Sequence, residues 1–324
     1  MKITYKSSAL LVSAIVMLVL YSCSKSETVA PAPVDDQQQS SLPSTADGKH
    51  LYGLLPSRPD QYSTVPVYSP ELFKQQYGTF TIGKPPVVTL ANPAVRDQGQ
   101  IGSCTSFCGV EAYEIGYYYK HGAFPTLLSP LFIYYEERVG ILHERISADN
   151  GAYMVDIGEA LQKYGDCYES LYKYPNPASD RSTAYRTAPS SAAISNALGY
   201  KVTGYTLVNS GDTAAVKNLL RNNVPVMMGF NVYDNTSTYQ YFEGLNTTSY
   251  TYNPLNSNGS LANGVSLLGG HAVPLIGYDD NRKAFLVQNS WGTSWGNNGF
   301  FYLPYSVFMS TTVVPQGGVY YLTL

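Results

Sequence analysis

Arg96-Asp97-Gln98-Gly99-Gln100-Ile101-Gly102-Ser103-Cys104-Thr105-Ser106-Phe107 is a glycine-bearing turn that runs into a helix. Val110, Ala112, Glu114 and Tyr118 carry the helix on to Lys120, and Gly122 stops it. Cys104 therefore stands at a helix N-terminus. There the partial positive charge of the free N–H groups favours a thiolate over a thiol. A cysteine in that place means little alone. Its reading depends on whether the chain also supplies a base, an orienting group and an anion hole.

The candidates are few, because the chain has only four histidines: His50, His121, His143 and His271. His271 lies in Gly269-Gly270-His271-Ala272-Val273, where a strand begins. Eighteen residues on comes Asn289-Ser290-Trp291-Gly292-Thr293-Ser294-Trp295-Gly296, which holds both tryptophans of the chain. An amide can accept the second N–H of an imidazole and fix its orientation. An indole beside that pair keeps water off it. Nucleophile, base and orienter are then complete. His50, His121 and His143 read as solvent-facing or local hydrogen-bonders. No His-Glu-x-x-His spacing occurs, so neither a metal nor another cofactor is expected.

Three motifs together, Gln98-Gly99 through Gly102-Ser103-Cys104, Gly-His-Ala-Val at 270–273, and Asn-Ser-Trp-Gly at 289–292, resemble the papain family of cysteine peptidases. The resemblance covers roughly residues 85–324, and stretches such as Leu128-Ser129-Pro130-Leu131-Phe132 are similar to its short bacterial branch. It implies a Cys104–His271 thiolate–imidazolium pair, with Asn289 orienting His271 and Trp291 shielding it. Gln98 and the Cys104 N–H would form the oxyanion hole. Gly151, Ala152, Met154, Gly270 and Trp291 would contact a peptide or protein substrate. Met154, with Gly229 and Gly269 nearby, would line a roomy apolar specificity pocket.

There are departures. Thr105 stands where the family has tryptophan, and Ala152 where it has a cleft glycine. Ile101 and Asp149 occupy the positions of a family disulfide, so the turn must be held by packing. The long helical propeptide of the family is not visible. A non-catalytic papain-fold lipoprotein that binds peptides or other partners is the alternative. Acyl transfer to an amine is a third possibility.

The chain has 324 residues, 44% hydrophobic, with a formal net charge of -3. That suffices for a substantial core or two lobes, and no basic field points to nucleic acid. Lys2 and Lys6 precede an apolar run over 9–20, of signal-peptide length and too short to span a bilayer. Leu20-Tyr21-Ser22-Cys23 resembles a bacterial lipobox, which implies cleavage before Cys23 and lipid on its thiol and amine. An ordinary signal peptide cut nearby is the alternative. The expected location is a bacterial membrane, at the outer membrane or cell surface in preference to the periplasmic face. The expected state is a monomer. A lipidated Cys23 leaves Cys104, Cys108 and Cys167, an odd number, so disulfides do not organise the fold.

Four regions follow: 1–22 a signal peptide, 23–50 a disordered Ser/Pro/Gln-rich tether, 51–90 an extended segment packed on the domain, and 91–324 the peptidase domain. Within the domain, helices are expected after Ser129-Pro130, over 152–164 and after Asp212. Strand-like runs follow at 224–232, 272–278, 284–288, 300–303 and 319–324, with Asp279-Asp280-Asn281 as a hairpin turn. Helices first and strands second make an α+β protein: a helical N-terminal lobe, an antiparallel barrel-like C-terminal lobe and a cleft between. The polar loop 234–267 could cover part of that cleft.

Overall fold

A computed structural model describes residues 42–78, 83–175 and 184–324. The expected signal peptide, Cys23 and most of the tether lie outside the described residues. No helix among the described residues is long and apolar enough to cross a membrane.

The helices in chain order are α1 Pro59–Tyr62, α2 Pro70–Tyr77, α3 Cys104–His121, α4 Pro130–Tyr135, α5 Met154–Lys163, α6 Ser191–Ala197, α7 Thr213–Arg221 and α8 Tyr305–Phe308. A π-helical turn, Glu136–Ile141, continues α4. The strands are β1 Val87–Thr89, β2 Gly204–Leu207, β3 Val226–Asn235, β4 Val265–Asp279, β5 Ala284–Gln288, β6 Phe300–Pro304 and β7 Val319–Thr323. They form one antiparallel sheet in the order β2-β7-β3-β4-β5-β6, with β1 added to β4.

Local chemistry sets the helix ends. Ser129 Oγ accepts the Phe132 N–H at 3.2 Å, and Pro130 takes the first helical position, where no N–H is needed. Asp212 Oδ1 accepts the Ala215 N–H at 2.9 Å and starts α7. Gly122 ends α3 at φ 80°, a left-handed geometry that suits glycine. From Cys104 to Ile115 every residue of α3 is buried, so this helix is the spine between two cores. On one side it packs with α4 and α5 through Phe107, Val110, Leu131, Phe132, Ile157 and Leu161. The second core belongs to the sheet and includes Phe230, Val273, Phe285 and Phe301. Two cores on a shared helix make the two-lobed α+β architecture expected from the sequence.

The expected helices and the five strand runs appear with ends shifted by a few residues. β4 is the largest change: it starts at Val265, inside the presumed loop, because it keeps pairing with β3 across a bulge at Val232/Tyr233. Six elements had no sequence expectation: α1, α2, α6, α8, β1 and β2. Of these, α2 has a readable signal in Ser69-Pro70, where Ser69 Oγ accepts the Leu72 N–H at 3.1 Å.

Candidate active site

Cys104 is the first residue of α3 and is fully buried. Backbone N–H groups of Ala272, Gly53 and Thr105 are directed at its sulfur. Ala272 follows His271 in β4, so thiol and imidazole share one pocket. His271 Nε2 lies 2.7 Å from Asn289 Oδ1. That oxygen is an acceptor, so Nε2 carries the proton and Nδ1 is the free base. Nδ1 has no hydrogen-bond partner among the described residues and is the nitrogen left to serve the thiol. The Trp291 ring lies 5.1 Å from the imidazole, with Phe230 at 5.8 Å and Phe242 at 5.9 Å. The His271–Asn289 bond is thus enclosed by aromatic carbon.

Gln98 is also fully buried. Its Oε1 accepts the Ser290 hydroxyl proton at 2.7 Å, which turns the amide nitrogen toward the cleft. Gln98 Nε2 donates to Ile101 O at 3.2 Å and to Leu51 O at 3.0 Å. A peptide carbonyl therefore already sits at the amide assigned to the oxyanion hole. The turn is not held by packing alone, as its missing disulfide suggested. Asp149 Oδ1 accepts the Gly102 N–H at 3.1 Å and the Tyr134 hydroxyl proton. Asp149 is thus tied by a hydrogen bond to Gly102, the neighbour of the other position that a disulfide would join. Cys104, Cys108 and Cys167 are all free.

Residues 42–57 run through the cleft. Ala152 donates its N–H to Gly53 O at 3.0 Å and accepts the Leu55 N–H at 2.9 Å, a parallel bridge. Leu54 donates to Gly270 O at 3.1 Å. A methyl group on Gly151 would stand 2.0 Å from Gly53 O, so this approach is close on both sides. Met154, Gly229, Gly269 and Gly270 line an apolar cavity of about 220 Å³, and Leu54 is among the residues that bound it. Tyr52 is 1% exposed, packs edge-on to His271 and Trp291, and donates its hydroxyl to Glu243 Oε1 at 2.7 Å. Glu243 Oε2 accepts the Ala46 N–H at 2.9 Å. Asp234 fixes the Glu243 loop by accepting the N–H groups of Tyr241, Phe242 and Glu243 at 2.9, 2.7 and 2.9 Å.

Two expectations change here. Residues 42–50 were assigned to the disordered tether, yet Ser44 bridges to Leu51 and the stretch covers the site. His50, expected to be solvent-facing or a local hydrogen-bonder, stacks on Trp291 at 4.8 Å and 13° and reaches the distant Asp97 Oδ1 at 3.1 Å. Low hydrophobicity concealed both, because this stretch is held by backbone pairing and one stacked ring. The apolar pair Leu54-Leu55 after a glycine was the available signal.

The seated segment also sets the charges. Burial holds the His271 imidazole down at about 4, against an ordinary 6.5, although its bond to Asn289 opposes the shift. Burial pushes the Cys104 thiol up to about 12, with three N–H groups opposing and the Glu137 carboxyl adding to the rise. Burial thus favours the neutral thiol and the neutral imidazole while the segment is seated. The thiolate–imidazolium pair implied by the sequence needs water or a polar substrate that the segment now excludes.

Residues 89–313 match the family described as papain family cysteine protease. An uncharacterized peptidase C1-like protein of Acanthamoeba polyphaga mimivirus is 29% identical over 268 residues, covering 78% of this chain and 81% of that protein. Cathepsin K of Mus musculus is 27% identical over 247 residues, 76% of this chain and 64% of that one. Among solved structures, xylellain, a cysteine protease from Xylella fastidiosa, superposes with a TM-score of 0.67 at 30% identity, covering 84% of this chain and 95% of that one. A digestive procathepsin L 3 of Tenebrio molitor shares the fold at a TM-score of 0.52 and 22% identity, over 78% of each chain.

Proposed function

Because this chain belongs to the papain family of cysteine proteases, we propose that it hydrolyses peptide bonds through Cys104 and that residues 42–57 keep it latent. The Gln98 amide holding the Leu51 carbonyl beside Cys104 and His271 carries this reading. With the segment withdrawn, a substrate carbonyl takes that place. Nδ1 of His271 accepts the thiol proton, and the sulfur attacks the carbonyl carbon. The oxygen gains charge against Gln98 Nε2 and the Cys104 N–H, and losing one such donor typically costs about 2.7–4 kcal/mol of barrier. His271 returns the proton to the leaving nitrogen as the C–N bond breaks. Water, giving its proton to His271, then cleaves the thioester and restores the thiol.

The direction of the segment explains why it survives. In a productive substrate the residues after the scissile carbonyl run past His271 and Trp291, so that His271 can protonate the nitrogen. Here His50, before the Leu51 carbonyl, lies on Trp291, and Leu54, after it, lies by Ala152 and Gly270. The segment therefore crosses the site in the opposite direction to such a substrate, with Tyr52 packed on His271 and Trp291.

Cys23 is proposed to carry the lipid anchor, at the bacterial envelope. The segment then connects tether to enzyme. The rival reading, a non-catalytic binding lipoprotein, draws on the filled cleft and on Thr105 and Ala152. The intact set of Gln98, Cys104, His271 and Asn289 favours catalysis. An epoxysuccinyl probe should label the chain at Cys104, slowly. Folded protein that never labels, even after prolonged incubation, refutes catalysis and leaves the rival.

A further inference from the structure

We infer that Glu137, acting through Thr105, is a positioning residue for the nucleophile. The inference rests on Cys104 being that nucleophile. Thr105 donates its backbone N–H toward the Cys104 sulfur. Its side chain donates in turn to Glu137 Oε2 at 2.8 Å, and both residues are fully buried. Glu137 belongs to another element, the π-helical turn Glu136–Ile141, of a type that recurs at functional sites. The N–H that faces the sulfur is therefore tied across the helical lobe, at a position where the family's tryptophan is absent.

The carboxyl is unusually placed for a merely structural anchor. Its second oxygen, Oε1, has no hydrogen-bond partner among the described residues. The groups that face it are Cys104, Thr105 and Cys108 from α3, Asp156 from α5, and Arg138 beside it. Arg138 spends its guanidinium on the carbonyls of Ile146, Ala148 and Tyr185, and Glu137 has no ion pair among the described residues. Burial pushes the Glu137 carboxyl well up, which favours its neutral form. A neutral acid can hold the Thr105 hydroxyl without adding a negative charge beside a forming thiolate. An ionised one would oppose that thiolate. The same contact thus positions the first turn of α3 and makes the nucleophile sensitive to one remote proton.

The test uses the full chain and its rate of Cys104 labelling by an epoxysuccinyl probe against pH. Each variant is expressed as a ratio to wild type, which cancels the shared contribution of the segment. Thr105→Val and Glu137→Ala should lower the limiting labelling rate about tenfold, with half-saturating probe concentration unchanged, as expected for one lost hydrogen bond. Thr105→Ser and Glu137→Gln keep that bond and should stay within about threefold of wild type near pH 7. The Glu137→Gln ratio should climb at alkaline pH, where only the wild-type carboxyl can ionise. Should Thr105→Val or Glu137→Ala fail to fold, the Thr105→Ser rate and the Glu137→Gln pH ratio decide. A flat Glu137→Gln ratio, or serine and glutamine variants tenfold slow, overturns the inference. Wild type that never labels overturns the catalytic reading instead.

Discussion

Gly53→Ala should open the cleft without touching the catalytic residues. A Cβ on Gly53 would stand 1.9 Å from Gly102 O, 2.3 Å from Gly102 C and 2.7 Å from Gly102 Cα. These are backbone atoms of the turn that carries Cys104, and no rotamer change relieves the overlap. The turn cannot yield easily either, because Gly102 is bonded to Asp149 at 3.1 Å and Ile101 to Gln98 at 3.2 Å. The segment must lift. The two bonds nearest the lesion are Ala152 N–H to Gly53 O at 3.0 Å and Leu54 N–H to Gly270 O at 3.1 Å. At about 1 kcal/mol each, losing only these two costs about 2 kcal/mol, roughly a 30-fold rise in the open population. Labelling of Cys104 should accelerate by that order in the full chain. Gly83→Ala, with nothing within 4 Å of its added methyl, should label like wild type. A Gly53→Ala chain of unchanged thermal midpoint that labels no faster than wild type refutes the claim that residues 42–57 control access.

Acid should also release the segment. His271 is held at about 4 when covered and returns toward 6.5 when exposed, so closure is fully favoured above pH 6.5 and loses support as pH falls toward 4. Between pH 7.5 and 4.5 that loss is on the order of 2 kcal/mol, with the half-buried Glu243 carboxyl acting in the opposite sense. Hydrogen exchange of the Leu54 and Leu55 amides, corrected for intrinsic rate, reads it directly; protection that holds or rises in acid contradicts the scheme. Glu243→Ala removes the acceptor of the Tyr52 hydroxyl and the Ala46 N–H, and labelling should quicken by about tenfold. Cys104→Ala should abolish peptide turnover, whereas Cys108→Ala should keep most of it, and the opposite pattern would reassign the nucleophile. Cys23→Ser should move the protein out of the membrane fraction, and unchanged fractionation counts against the anchor.

What could be read from the chain alone depended on whether the relevant chemistry was local. Gln98 to Cys104 is one turn, Asn289 and Trp291 share an octet, and a histidine at a strand start has few rivals among four. Such motifs are short, and the fold brings them together in a way that resemblance supplies. The five strand runs were legible because their apolar residues cluster, and the helix starts because Ser129 and Asp212 are caps. The α+β division followed. What escaped were relations between distant residues of unremarkable type. Asp149 looked only like an absent half-cystine until the Gly102 N–H was found on it. Thr105 looked like a lost tryptophan until Glu137 gave its hydroxyl a buried partner.

The segment is the harder case, because nothing in residues 42–57 marks them as a strand. Gly53 and Pro56 break the local pattern, and the pairing that orders the stretch is shared between an internal bridge, Ser44 with Leu51, and bonds to Ala152 and Gly270. Isolated, the stretch has only a short turn over 43–52 to encode, and no core. Its order is supplied by the cleft, and for that reason its release should be graded by the few contacts just named. A chain that stores its inhibitor as weakly held backbone can respond to a modest change at His271 or Glu243. An inhibitor with its own core could not be released by 2 or 3 kcal/mol. Progressive weakening, Gly53→Ala with Glu243→Ala, should therefore add in free energy and multiply in the open population, because the two lesions break different bonds. Combined labelling no faster than the faster single variant would mean that one contact, and not the strand as a whole, holds the cleft shut.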